Sequence, residues 1–297
     1  AARENAGIRA LLEVGKVKGD PTPFHAGFTL GPRINAGSRV HQADLGAKLL
    51  ATDDFEDATN IAWILNDCND KRKGIQTEMV RHAVRMVEEN GYADHPIIMV
   101  GHEDWHPGLA GLVAGQLKER FGKPSVVVTF APGQGGIGLE GRGSGRSVAG
   151  INMGAAFIDA RNEGILVKGG GHAMAAGFTI LPDRIEDFRA FLLRHIGDQL
   201  NGMSVVSETM IDGILSVRGC RPDFVSLINN NLGPFGVGND EPIFVLPSVK
   251  IHKVDVVGDT HVRCMVGDAE GGGWMKAMEF RAVDTPLADA LLRGARG

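Results

Sequence analysis

The 297 residues are 43% hydrophobic and 23% charged, with a formal net charge of −5, which is the balance of a folded chain long enough for two compact domains. No apolar run reaches the length of a membrane span, and Ala1-Ala2-Arg3-Glu4 opens no signal-peptide core, so no membrane partner is expected. Cys68, Cys220 and Cys264 stand far apart in no CxxC pair; this argues against a disulfide framework or zinc knuckle and for a reducing cytoplasm. With an acidic balance, any nucleic-acid binding must come from a local basic cluster.

In chain order, a short helix is expected over 4–12 and a strand-like run over 24–30. Residues Gly31 to Arg39 follow, too rich in Gly and Arg for simple core. A long helix is predicted from about Asp54 to Asn90, with Asp53 as its cap, Glu56 completing a capping box and Gly91 at C′. Ile61, Leu65, Cys68, Ile75, Met79, Ala83 and Met86 recur along it at helical spacing, and its middle (Asn66-Asp67, Asn69 to Lys73) is polar. A strut between domains and a surface helix of one domain fit that pattern equally. From Pro96 the pattern becomes α/β. Strands are predicted at 97–100 and 125–130, and helices at 109–121, 153–161 and 184–200. After Gly202, short strand-like runs at 209–217, 244–249, 254–257, 261–266 and 274–280, with one helix at 222–230, read as a small, mostly β, OB-like domain. The start without Met, in what reads as a helix tail, and the stop at Ala295-Arg296-Gly297 suggest a piece of a longer chain.

Four motifs carry chemistry. His102-Glu103-Asp104-Trp105-His106 spells H-E-x-x-H, but zinc binding by that motif needs a helix. Here the segment leaves a strand and meets Pro107-Gly108, so it is either a loop beside a ligand crevice or a polar loop with Trp105 packed down. Gly136 to Gly141 spells G-x-G-x-x-G without a helix opening at its end, which argues against a dinucleotide site. Gly143-Ser144-Gly145-Arg146-Ser147 reads as a phosphate cradle, with backbone N–H groups, two hydroxyls and a bidentate guanidinium; a flexible glycine loop on a hairpin is the plainer alternative. Gly169-Gly170-Gly171-His172, leading into Ala173 to Gly177, reads as a His opening a small-residue helix toward an anion, or as a structural His.

Taken in order, four stretches resemble the RecJ family, and the match covers nearly the whole chain. They are Gly31 to Arg39 with Asn69 to Arg72; Trp105 to Gly108 leading to Gly111 to Leu117; Gly143 to Ser147 followed by Gly170 to Ala173 and Ala175 to Gly177; and Leu232 to Asn239 with Glu241 to Phe244. The resemblance implies the end of a DHH phosphoesterase domain over 1–53 and a connecting helix over 54–91. A DHH-associated α/β domain with a mixed sheet would follow over 92–202, and an OB-like β domain over 203–297. It implies a single-stranded-DNA-specific 5′→3′ exonuclease serving DNA repair and recombination, with Ser144, Gly145, Arg146, Ser147, Gly170, Gly171 and His172 at the phosphates of a 5′ end. Arg33, Asn35, Arg39 and His106 would lie along the strand, and the β domain would carry it onward by stacking and backbone contacts. The family's metals, Mn²⁺ or Mg²⁺, are held by Asp- and His-rich motifs. No DHH triplet occurs here, so no metal or other cofactor is expected on this chain, and no turnover from it alone. A 5′-phosphorylated single strand is the implied substrate, with a helicase or single-strand-binding protein as implied partner. Two other readings stay open: a DHH phosphoesterase for short oligonucleotides or nucleotide monophosphates, against which the β domain and Pro234-Phe235-Gly236 argue, and a non-enzymatic nucleic-acid or protein-docking module.

Overall fold

The structure, a computed structural model, describes residues 4–132, 138–200, 209–269, 271–280, 282–283 and 285–294. The chain divides into two compact units, Ala1–Val206 and Ser207–Gly297.

The first unit opens with a helical layer. Helix α1 (Ala6–Val14) is capped by Asn5, whose side chain accepts from the Ile8 N–H. The run expected as a strand over 24–30 is helical instead: α2 (Pro23–His25) passes through a π turn (Ala26–Leu30) into α3 (Gly31–Val40). Pro23 sits in the first turn behind a Thr22–His25 capping box, and Phe24 and Phe28 are spaced as neighbours on a helix, not on a strand. Their rings stack at 4.7 Å and face outward. After α4 (Leu45–Ala51) comes α5 (Phe55–Glu89), 35 residues long. Its cap is Asp54 rather than Asp53; the Asp54 carboxylate accepts from the backbone of Glu56 at 2.8 Å and Asp57 at 3.0 Å. At its other end Gly91 takes the left-handed conformation (φ +68°).

Helix α5 belongs to two cores. Its first part buries Ala58, Ile61, Ala62 and Leu65 against α1 and α4. Its last part buries Met79, Ala83 and Val87 against the sheet and α6 (Ala110–Phe121). The polar waist lies between.

The sheet has five strands, β1 (Ile98–His102), β2 (Ser125–Pro132), β3 (Leu139–Arg146), β4 (Lys168–His172) and β5 (Ala175–Ile180), in the order β1-β2-β3-β5-β4. Only β1 and β2 run parallel, joined by the α6 crossover; every other pair is antiparallel. One face carries α6 and the end of α5. The other carries α7 (Met153–Asn162) and α8 (Ile185–Leu200) over Phe157, Phe178 and Phe188.

Two expectations are corrected here. Gly143 to Arg146 is no loop but the end of the central strand β3, and its backbone groups pair with β2 and β5 rather than cradling an anion. The glycines serve packing: a Cβ on Gly143 would sit 2.1 Å from the Phe178 ring. Nor does His172 open a helix; β4 and β5 form a hairpin, with Gly171 at φ +151°. The front of the glycine-rich stretch, 133–137, lies outside the described residues and takes Gly136 and Ile137 of the G-x-G-x-x-G motif with it.

In the second unit, β6 (Gly213–Ile214) pairs in parallel with β7 (Phe244–Val245). Strands β8 (Val249–Val257), β9 (His261–Asp268) and β10 (Trp274–Glu279) form an antiparallel meander. The strand expected over 209–217 shortens to β6, because Val217–Gly219 turns as a 3₁₀ helix capped by Ser216. Helix α9 (Pro222–Leu232) was expected; α10 (Pro286–Gly294), which buries Ala288 against Val262, was not. Among the described residues no helix is long and apolar enough to cross a membrane.

Candidate functional site

The Arg39 guanidinium stands within electrostatic reach of two others from two further elements, Arg72 and Arg146. Arg39 lies in the last turn of α3, Arg72 sits in the waist of α5, and Arg146 ends β3. Each is fixed by uncharged partners. Arg39 Nη1 donates to the Gly108 carbonyl at 3.2 Å and Arg146 Nη1 to the Gly145 carbonyl at 2.9 Å. Arg72 donates to Asn69 Oδ1 at 2.9 Å and to Gln76 Oε1 at 2.8 Å, while its buried Nε has no hydrogen-bond partner. Among the described residues none of the three forms an ion pair.

The electrostatics are therefore unbalanced. Burial, and then the charge of Arg39, holds both Arg72 and Arg146 below the ordinary arginine range; Asp70 offsets this only at Arg72. Arginine does not shed its proton in this situation. The like charges instead raise the cost of the empty cluster, and a bound anion would relieve it.

Two glycines make the cluster possible. A Cβ on Gly108 would lie 2.3 Å from the Arg39 carbonyl oxygen, and one on Gly111, in the first turn of α6, 2.6 Å from Arg146 Nη2. The loop and the helix thus press against both arginines. His106 caps the 3₁₀ turn at Pro107–Leu109 by accepting from the Gly108 N–H at 3.1 Å.

Beyond Arg146 the α6 side of the sheet continues as an open floor. Register places Arg146, Ala175 and His172 in one row across β3, β5 and β4. Ser144, Gly177 and Gly170 form the next, and Arg142, Thr179 and Lys168 the third. Directly paired residues share a face, so the middle row is almost bare backbone with basic side chains on either side. Adjacent strands lie ~4.8 Å apart, which makes the floor about 10 Å wide from Ser144 to Gly170. His172, Lys168 and Arg142 are exposed at its rim.

The other candidates fall elsewhere. Ser147 is 1% exposed and donates to the Ile151 carbonyl at 2.8 Å, so its hydroxyl is used inside the core. Gly145 faces Phe157 and Met153 on the opposite side of the sheet. Arg33 donates to Asn66 Oδ1 on α5 at 3.1 Å and to the Thr29 carbonyl of the preceding π turn at 2.8 Å, farther back along the same α3–α5 seam. Asn35 is exposed on α3. From the sequence, Arg72 and Gly111 figured only as parts of family-like stretches and Lys168 only as the start of the glycine–His segment, and none of the three as a site residue. The signal for Arg72 was its spacing from Asn69, one helical turn back, where a buried amide holds its guanidinium.

In the second unit the meander presents a further polar and aromatic face. Register aligns Trp274 with Gly267 and Lys250, and Lys276 with Met265 and Lys253. Trp274 is 68% exposed; Phe280, 70% exposed, stands edge-on to His261 at 5.4 Å. On another side a groove of about 460 Å³ is lined mostly by apolar side chains, among them Phe224, Val225, Ile228, Phe244 and Met275. Among the described residues no group of three or more His, Cys, Asp or Glu side chains could hold a metal ion.

Comparison with known proteins fits this layout. A DHHA1 domain model matches residues 94–198 and a RecJ OB domain model matches residues 211–293. A single-stranded-DNA-specific exonuclease RecJ from Dickeya dadantii is 33% identical over 293 residues, covering 97% of this chain and 50% of its own length. The protein of that name from Bacillus subtilis is 30% identical over 263 residues, covering 88% of this chain and 32% of its own. The crystal structure of RecJ with Mn²⁺ from Thermus thermophilus superposes with a TM-score of 0.75 at 26% identity, over 94% of this chain and 39% of that one. The chain thus spans about half the length, or less, of the relatives it matches.

Proposed function

The chain belongs to the RecJ family through its DHHA1 and RecJ OB domains, and we propose that it is the strand-gripping part of a single-stranded-DNA-specific 5′→3′ exonuclease. The arginine cluster carries the proposal: Arg39 acts on both Arg72 and Arg146, and among the described residues no carboxylate pairs with any of the three. A terminal phosphate bears more charge than an internal diester and offers three oxygens, which suits paired guanidinium forks. Arg146 and Arg39 would take that phosphate with Ser144 Oγ beside them. The floor of Gly177 and Gly170 would let the following sugar lie against backbone, and Arg142, Lys168 and His172 would flank the next phosphates. The 5′ polarity comes from the family.

The Trp274 face of the second unit offers a grip of its own. Stacking on aromatic rings beside lysines holds single strands without regard to sequence. Replacing Trp274 with alanine should weaken binding of a long oligonucleotide by about 1–3 kcal/mol while leaving the preference for a 5′-phosphate intact. Fluorescence anisotropy with phosphorylated and unphosphorylated strands reads both effects; a change in phosphate preference would remove Trp274 from this role.

Relatives have been crystallised with Mn²⁺ or Mg²⁺. The described residues of this chain do not fit such a pair of ions, since hydrolysis between two metals needs clustered carboxylates. Binding and positioning are the steps its residues can perform. The purified chain should therefore leave a 5′-phosphorylated strand undigested in Mn²⁺, and nucleotide release in that assay would overturn this division of labour. In domain terms, 1–53 would be the end of the metal-binding domain, 54–91 the connector, 92–202 the DHH-associated domain and 203–297 the OB-like domain. The substrate and the free thiols fit a cytoplasmic protein.

The apolar groove under α9 favours a second role for the same unit, docking of a protein such as a helicase or single-strand-binding protein. Salt separates the two: strand binding weakens steeply as salt rises, and apolar docking does not.

A further inference from the structure

We propose that His82 is a positioning residue for the arginine cluster, acting as a latch that holds the Trp105 loop on α5 through the unprotonated Nδ1 of its ring. This rests on the anion-site reading above and adds a control to it.

The latch is a triangle of rings. Trp105 Nε1 donates to His82 Nδ1 at 3.3 Å, and the two rings stand edge to face at 5.5 Å. His102, at the end of β1, packs its ring 4.7 Å from that of His82. His102 Nδ1 in turn accepts from the Asp104 N–H at 3.2 Å, with the Asp104 carboxylate at 3.6 Å. Trp105 is 4% exposed and sits among Met79, Ala83, Val100 and Leu109, so it anchors the segment that follows.

That segment is the support of the site. His106 caps the turn that carries Gly108, and the Gly108 carbonyl holds Arg39. A displacement of Trp105 would therefore reach Arg39 across three residues of chain and one hydrogen bond.

Protonation opens the latch for two reasons. An imidazolium has N–H groups at both nitrogens and cannot accept from Trp105. A charged His82 would also face His102 from β1 and Arg85 along its own helix. Glu89 on α5 and Asp104 in the turn oppose this, and Glu78 and Arg81 line the same cavity. Burial comes first among the causes, then His102 and Arg85, and together they hold the His82 imidazole below the ordinary histidine range. The folded loop thus binds fewer protons than the opened one. The latch is complete above the ordinary histidine pKa of about 6.5 and is lost as pH falls from there through the lower value of the closed form.

The test uses the 297-residue chain with Trp63 and Trp274 replaced by Phe, so that Trp105 is the only indole. Its emission, and its anisotropy-measured affinity for a 5′-phosphorylated oligonucleotide, are followed from pH 7.5 to 5.5. The same is done for His82→Gln, whose amide oxygen can accept from Trp105 but does not titrate. The parent should change emission below neutral pH and lose roughly five-fold more affinity than the Gln variant, the scale of one intramolecular hydrogen bond. Because a terminal phosphate also titrates near pH 6, the difference between the two proteins is the reading, not either curve alone. Emission that stays flat, or moves equally in the Gln variant, overturns the latch. Emission that titrates while the affinities stay parallel overturns its coupling to Arg39. Absence of phosphate preference at pH 7.5 would overturn the anion site instead, and the emission curves would still decide the latch.

Discussion

Replacing Arg146 with alanine abolishes the preference of the chain for a 5′-phosphorylated strand, at a cost of about 2–3 kcal/mol in binding, the range of hydrogen bonds to charged groups. Arg146→Lys keeps the charge but loses the fork, and falls between the two. The plot of log affinity against log salt flattens by about 0.7 for each phosphate of a single strand that is no longer neutralised. Stability moves the other way. Arg146 is partly buried beside Arg39, and among the described residues no carboxylate offsets it, so its removal raises the unfolding midpoint of the free chain. An arginine kept for architecture would lower that midpoint on removal. Titration with phosphorylated and unphosphorylated strands, beside thermal unfolding without ligand, measures both signs. Binding blind to the phosphate in the parent chain, or a variant that is destabilised with unchanged binding, would sink the assignment.

Gly143→Ala unfolds the first unit or weakens it by about 3 kcal/mol or more, because the new methyl meets the Phe178 ring in the middle of the sheet and the usual cost of overpacking is about 1–3 kcal/mol. Phe178 itself packs against Phe157 at 5.1 Å and Phe188 at 4.8 Å, so it has no direction in which to yield. Gly177→Ala is the matched control. Its methyl would find only the Gly143 carbonyl oxygen at 3.7 Å, on the open side, and should change stability little while obstructing the floor. Urea unfolding of the two variants, with Gly143→Ala/Phe178→Leu completing a cycle, separates packing from binding. Equal costs for the two alanines would mean that the floor is not open.

The extent to which the fold could be read in advance follows from how local each signal is. The long helix was legible because Asp and Glu at its start, Gly91 at its end and the apolar spacing between them are all short-range features. The strand at 125–132 was legible as a β-branched run. The helical turn at 24–30 was not, because Gly27 and the neighbouring Pro23 read as strand punctuation and masked the spacing of Phe24 and Phe28. The glycine segments failed for a different reason. Gly141, Gly143 and Gly145 do alternate with polar residues at the strand period, but glycines give no apolar face to read, and what makes the run a central strand is the set of aromatic rings from β5 and α7 that needs the space. The sequence motif singled out Arg146 together with its backbone neighbours; the ladder uses those backbone groups, and the side chains are what remains for an anion. Arg72 could not be linked to Arg39 or Arg146 from the sequence, since that neighbourhood exists only once α3, α5 and β3 are packed together.

Helix α5 has its two ends set in separate cores with Arg72 between them, and this restricts how the gene can drift. Each residue inserted into an α-helix turns everything beyond it by about 100° and advances it by 1.5 Å. A single codon gained between Leu65 and Met79 would keep Ala58 and Ile61 in one core while swinging Ala83 and Val87 out of the other. Length changes in this waist should therefore survive only in steps near a whole number of turns, with seven residues the smallest that nearly restores the phase. Even that step lengthens the rod by about 10 Å, which no side-chain substitution can absorb. Among relatives, the spacing across this waist should be far more uniform than its residues.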